Sequence, residues 1–137
     1  MSTENKYARK YFLDNNYNCA ESVILAANEI YDLNIPIEAV RLLSGFGAGM
    51  SCGKTCGAIA GALAVISNIT VKDRAHTTDG FKETASGLVL ELEKVLGGTD
   101  CKDLMPKYRK PDVRCIDAVE IALEVLDRYI KDNDIII

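Results

Sequence analysis

Five cysteines are the residues of this chain best suited to chemistry: Cys19, Cys52, Cys56, Cys101 and Cys115. The thiolate, not the thiol, attacks disulfides and ligates metals. Four of the five follow a helix-start signal. Cys19 follows Asn18, Cys56 follows Thr55, Cys101 follows Thr99-Asp100, and Cys115 comes three residues after Asp112. Asn, Thr and Asp side chains accept a hydrogen bond from a free N–H of the first turn, so they open helices. Each of these cysteines is therefore expected in a first turn, where the helix dipole favours the thiolate. The pattern points to reactivity or ligation as well as packing, although free cysteine is also a common small core residue.

Spacing narrows the chemistry. Cys52 and Cys56 stand as C-x3-C, which is neither a usual zinc-knuckle nor a thioredoxin spacing. No C-x-x-C-H occurs, so covalent c-type haem attachment is excluded on motif grounds. A four-cysteine metal site must be assembled from distant segments. The odd number of cysteines leaves at least one free in any fully intramolecular disulfide scheme.

The elements that must position these thiols read as helices almost throughout. Residues 4–14 are expected as a first helix with Tyr7, Tyr11 and Phe12 inward. Residues 19–31 carry Cys19, Val23, Ala26, Ala27 and Ile30 at helical spacing, and Asn18 with Glu21 resembles a capping box. Pro36 opens a helix over 36–44. Gly45, Gly47, Gly49 and Gly53 punctuate a loop. The helix expected over 55–69 is apolar nearly all round (Ile59, Ala60, Leu63, Ala64, Val65, Ile66), which belongs at the centre of a bundle. Gly57 and Gly61 lie one turn apart on it and admit a neighbouring backbone. A helix over 79–96 buries Phe81, Ala85, Leu88, Leu92 and Val95 and stops at Gly97-Gly98. A short turn over 100–105 ends before Pro106. The last helix, over 113–131, carries Cys115, Val119, Ala122, Leu126 and Tyr129 on one stripe. No segment alternates like a strand. The class is all-α, a compact bundle of about five or six helices in one domain over residues 1–137.

Composition sets further bounds. The chain has 137 residues, is 48% hydrophobic and 26% charged, and can bury a core without disulfide staples. Its net charge of −4 argues against non-specific binding to nucleic acid or to an anionic membrane. Residues 1–18 lack an apolar signal core, and no apolar run is long enough for membrane insertion, so a cytoplasmic location is expected. In a reducing cytoplasm, clustered cysteines are more often redox-active or metal-binding than structural.

One motif needs handling as a decoy. Ala48 to Thr55 fits a relaxed P-loop, A-x4-G-K-T, but a P-loop joins a buried strand to a helix. Here Arg41 to Phe46 read as a helix end, so the glycines are better taken as a flexible loop that lets backbone approach a cofactor or neighbouring helix. His76 reads as a solvated loop residue. Lys107, Arg109, Lys110 and Arg114 read as surface charge able to lower the pKa of Cys115 or to meet an acidic partner. Glu91, Glu93, Glu120 and Glu124 read as solvated faces.

Cys56-Gly57-Ala58-Ile59-Ala60-Gly61 spells CGAxxG, preceded by Asn18-Cys19-Ala20 and followed by Cys101 and Cys115. With this order of cysteines the chain resembles the C_GCAxxG_C_C family of redox-active proteins, although the family name spells Gly-Cys-Ala where this chain has Cys56-Gly57-Ala58. The resemblance implies that Cys19, Cys56, Cys101 and Cys115 are the family's four cysteines, with Cys52 outside the set. A similar domain accompanies the haem domain of split-Soret cytochromes, where an iron–sulfur site has been proposed.

Two mechanisms fit. Four thiolates are the usual ligand set of an iron–sulfur cluster, here a [2Fe–2S] centre held by Cys19, Cys56, Cys101 and Cys115. Alternatively, thiols cycle with disulfides. Cys56 is then the attacking thiol, favoured by Lys54 and a helix start, and Cys52 one turn away resolves it. Zinc on the four cysteines is a third option, which would make the chain a non-enzymatic metal-binding or interaction module. The chain is expected to serve as an oxidoreductase or electron carrier for an unnamed redox partner, and a homodimer is left open.

Overall fold

The computed structural model describes residues 1–137. Seven α-helices account for the fold: α1 (Thr3–Arg9), α2 (Cys19–Tyr31), α3 (Ile37–Val40), α4 (Gly57–Thr70), α5 (Phe81–Leu96), α6 (Cys101–Tyr108) and α7 (Ile116–Asp132). The all-α class holds, with seven helices in place of five or six. The addition is α6, which runs through Pro106 instead of stopping before it. Proline removes one backbone donor and crowds the preceding turn. Here the carbonyl left without its partner, that of Lys102, belongs to an exposed residue, and the helix ends two residues later.

Local signals explain most boundaries. The Asn18 side chain accepts from the Glu21 N–H (2.9 Å) while the Glu21 carboxylate accepts from the Asn18 N–H (3.0 Å), so α2 starts where the capping box sets it. The first helix is shorter than expected: α1 ends at Arg9 and widens into a turn over Lys10–Asp14 that delivers Phe12 to the core. The 36–44 helix is cut to α3 followed by a 3₁₀ turn over Arg41–Phe46. Only Val40 of these residues is buried, so little packing holds a longer helix together. Gly97, at φ 95°, ends α5 in the left-handed conformation that glycine adopts freely. Lys107 Nζ and the Tyr108 hydroxyl both donate to the Leu96 carbonyl and cover the same helix end from α6.

The core lies around α2 and α4, flanked by α1, α5 and α7. Ile59, Ile66, Leu88, Leu92, Leu96, Leu123 and Leu126 are essentially inaccessible, and each contributes about 1.5–3 kcal/mol by burial. Two expected positions move. Leu96 is buried in place of Val95, which is exposed. Glu120 does not lie on a solvated face: it is 7% exposed on α7, and its two carboxylate oxygens accept from Arg9 Nε (3.2 Å) and Nη2 (3.3 Å). A buried carboxylate is tolerable only with such a partner.

Gly57 and Gly61 bring α4 against α2 as expected. A Cβ on Gly61 would stand 2.7 Å from the Ala20 carbonyl oxygen and 2.9 Å from Val23 Cβ. One on Gly57 would stand 3.1 Å from Cys19 Cβ. The two missing side chains thus set how closely Cys19 approaches the start of α4.

Candidate four-cysteine site

All five cysteines are free thiols: Cys56 is buried, Cys19, Cys101 and Cys115 are half-buried, and Cys52 is exposed. Cys19 and Cys101 are the first residues of α2 and α6, as their caps suggest. Cys56 and Cys115 differ by one step, since each is itself the residue that precedes its helix. Asp112 does not cap α7. It lies at φ 69° in a tight turn closed by the Lys110–Arg114 pairing, and this turn delays the helix to Ile116.

A short backbone pairing joins two of the cysteines. The Cys56 N–H donates to the Thr99 carbonyl (2.7 Å) and the Cys101 N–H to the Lys54 carbonyl (2.6 Å). Thr55 and Asp100 are thereby opposed as an isolated antiparallel bridge. Cys56 and Cys101 become diagonal neighbours across it, a relation that places residues about 7–8 Å apart. The loop before α4 completes the clamp. Ala48, Gly49, Met50 and Ser51 all have φ between 53° and 64°, one left-handed turn closed by Lys54 N–H donating to the Gly49 carbonyl (2.7 Å). A Cβ on Gly49 would collide with Cys101 Cβ, so glycine is required there. This is the close approach expected of the glycine loop, in an ordered left-handed form. No strand precedes it, so the P-loop reading fails.

Burial, not the helix dipole, dominates the electrostatics. Desolvation raises all four half-buried or buried thiols, and Cys19 is pushed up to about 12. The expectation of thiolates favoured by helix starts is thus reversed in the resting state, because loss of hydration on burial is the largest influence on each of the four thiols. The residual favourable contacts are specific. The Ala58 and Ile59 N–H groups favour a Cys56 thiolate, although neither closes a cap hydrogen bond. Lys54 is exposed and plays no part there. Arg109 favours thiolates at Cys101 and Cys115, and Arg114 at Cys115.

The same electrostatics reveal which sulfurs are neighbours. Beyond the dominant effect of burial, Cys19 is raised by Cys56, then by Cys115 and Cys101. Cys115 is raised by Cys101 and then by Cys56. The four cysteines selected from the sequence therefore lie close enough to act on one another: Cys101 raises Cys56 and Cys115, and all three others raise Cys19. Cys52 stands apart. It is not one helical turn from Cys56, because residues 52–56 are not helical and α4 starts at Gly57.

A cavity of about 240 Å³ lies among these groups, lined by Cys19, Cys101, Cys115, Asn18, Arg109 and Arg114, among others. Arg114 donates to the Phe12 carbonyl and lays its guanidinium over the Phe12 ring, Cζ 4.0 Å from the centroid. The basic cluster is thereby divided: Arg109 and Arg114 face the cysteines, Lys107 caps α5, and Lys110 pairs with Asp117. His76 is exposed, as expected. No three Cys, His, Asp or Glu side chains are arranged around a single metal-ion position.

No curated protein and no solved structure matches this chain. The family described as "Putative redox-active protein (C_GCAxxG_C_C)" matches residues 17–129, a span that holds all four coupled cysteines and both arginines of the cavity. The chain belongs to the C_GCAxxG_C_C family.

Proposed function

We propose that this is a thiol–disulfide redox protein whose four coupled cysteines exchange electrons in pairs, Cys101 with Cys115 and Cys19 with Cys56. The carrying observation is that Cys101 and Cys115 line one cavity, while the start of α4, which Cys56 precedes, packs directly on Cys19 through Gly57. Cys101 and Cys115 are more accessible than Cys56 and sit beside Arg109, so they receive an external disulfide first.

Cys115, as thiolate, attacks one sulfur of that disulfide and expels the other as a thiolate. Cys101 then attacks the Cys115 sulfur and expels the second. Two thiols are oxidised to one disulfide, two external thiols are formed, and the two cysteine protons pass to them. Intramolecular exchange hands the disulfide to Cys19–Cys56, whose burial protects it. In this scheme Cys56 is the storage thiol, in place of the first attacker, and Cys52 is dispensable.

A second reading keeps the same four residues as ligands. Cys19, Cys56, Cys101 and Cys115 would hold a [2Fe–2S] cluster, which would supply one-electron transfer. It is favoured by three thiols on one cavity, with Cys56 tied to Cys101 across the Thr55–Asp100 bridge, and by the two arginines able to offset the charge of a thiolate-ligated cluster. Zinc is less well supported, since four sulfurs must then meet one point at about 2.3 Å.

The test is iron, zinc and sulfide analysis of anaerobically prepared protein, with free thiols counted during titration with an external disulfide, repeated with Cys56→Ser. Metal-free protein that loses thiols in steps of two supports the first reading. Brown protein with stoichiometric iron and sulfide overturns it for the second, and stoichiometric zinc overturns both.

A further inference from the structure

We propose that the cavity between α2, α6 and α7 is an anion site, in which Arg109 and Arg114 hold the carboxylate of a small anionic disulfide against Cys115. Binding of the anion stands on the cavity alone. That the bound anion is the disulfide exchanged rests on the thiol–disulfide reading.

The cavity's charge is one-sided. Two guanidinium groups line it and no carboxylate does, in a chain whose net charge is −4. Arg114 is anchored by the Phe12 carbonyl and ring, so its position is fixed while its other donors remain free. A guanidinium carries five N–H donors in a rigid fork that matches a carboxylate. Arg109 makes no ion pair with any acidic residue, whereas neighbouring Lys110 is paired with Asp117. An unpaired arginine beside an anchored one, both turned to one cavity, leaves a two-pronged anion receptor.

Size limits the occupant. About 240 Å³ is below the 300–1,000 Å³ of pockets for drug-sized ligands. It admits the carboxylate arm of a low-molecular-weight disulfide and not a folded protein's loop. Arg109 and Arg114 also border the adjoining groove with Met105 and Lys110, so the approach from solvent passes over the same two cations, and Asp112 is the one acidic residue that lines it. The exposed thiol, Cys52, is not among the residues lining the cavity and provides an internal reference.

The experiment compares an anionic with a neutral reagent of the same reactivity type. Iodoacetate and iodoacetamide each transfer a carbon to the thiolate and release iodide. Alkylation rates at Cys115 and Cys52 are read by mass spectrometry in protein as purified, at low salt. The iodoacetate-to-iodoacetamide ratio at Cys115, relative to the same ratio in the urea-unfolded chain, is expected to be about tenfold higher or more, the lower end of electrostatic focusing in a charged cleft. It should collapse in Arg109→Gln, survive in part in Arg109→Lys, and fall with salt.

An equal ratio in wild type and Arg109→Gln overturns the site. So does failure of both reagents to reach Cys115 while iodoacetamide labels Cys52. The exchange itself is tested with dithiodipropionate against neutral hydroxyethyl disulfide. Equal rates with the two would leave the thiol–disulfide reading standing and remove this proposal. A preserved iodoacetate preference with no disulfide formed from either would do the reverse.

Discussion

Replacing Gly61 by alanine should destabilise the protein, against the expectation from helix propensity. Alanine in a helix interior is favoured over glycine by about 0.8–1.0 kcal/mol. At Gly61 the added methyl would stand 2.7 Å from the Ala20 carbonyl oxygen, 3.2 Å from Ala20 Cα and 2.9 Å from Val23 Cβ. Two of these atoms are α2 backbone, which cannot swing aside like a side-chain tip, so α2 and α4 must separate. Overpacking of this kind costs about 1–3 kcal/mol. The upper part of that range applies, leaving a net loss of about 1–2 kcal/mol after the propensity gain.

For a chain of this length that is a fall of roughly 3–10 °C in melting temperature. Gly45→Ala is the control: no atom lies within 4 Å of the new methyl, and its effect should stay within about 0.5 kcal/mol. Thermal and urea denaturation of both variants, reduced and metal-free, give the comparison. A Gly61→Ala protein as stable as Gly45→Ala would refute the argument that backbone contact fixes the α2–α4 distance.

Four further outcomes are expected. Gly57→Ala, which meets the Phe46 carbonyl oxygen at 2.9 Å and Cys19 Cβ at 3.1 Å, should slow or prevent formation of a Cys19–Cys56 disulfide in thiol-mapping experiments. Arg9→Met should cost about 1–3 kcal/mol in urea denaturation, because Glu120 keeps a buried carboxylate without its cation, and Glu120→Gln should cost less. Asn18→Ala removes both the α2 cap and a hydrogen bond to the Ser44 carbonyl (2.9 Å), and should lower stability by about 1–2 kcal/mol. The raised pKa of Cys19 gives a pH dependence. Below pH 9.0 the thiol is protonated in both folded and unfolded chains; between 9.0 and about 12 only the unfolded chain loses the proton. Stability should therefore be intact below that window and fall as pH rises through it, by up to about 1.4 kcal/mol per pH unit from this group. Equal slopes for wild type and Cys19→Ser between pH 8 and 10.5 would contradict it.

Signals confined to a few neighbouring residues were legible. The capping box at Asn18 and Glu21 placed α2 to the residue, and Gly97 marked the end of α5. Caps and the family pattern selected the same four cysteines, and the fold brings three of them, Cys19, Cys101 and Cys115, to one cavity. Relations between distant residues were not. The Thr55–Asp100 bridge involves one residue on each side, too short for any alternation to show. Glu120 looked solvent-facing because its partner, Arg9, is 111 positions away. The left-handed turn at Ala48–Ser51 includes three non-glycine residues, which local preference assigns elsewhere. The thiol pKa values went in the direction opposite to the dipole argument because desolvation depends on what packs over the helix start. Arg109 and Arg114 were noticed as charge near Cys115, but only the folded chain shows them turned to one cavity.

The bridge between Thr55 and Asp100 has a consequence for the order in which the molecule is made. It closes the loop over residues 56–99, which contains all of α4 and α5, and its two hydrogen bonds come from the cysteines themselves. Cys115 lies later still. While the chain leaves the ribosome, Cys19 and Cys56 are present long before Cys101 and Cys115, and they lack the burial they have in the finished fold. A chain halted before α6 has no cavity and neither Arg109 nor Arg114, only unshielded thiols. Competence therefore arrives with the last quarter of the sequence, and a truncated product is exposed to the wrong thiol partners.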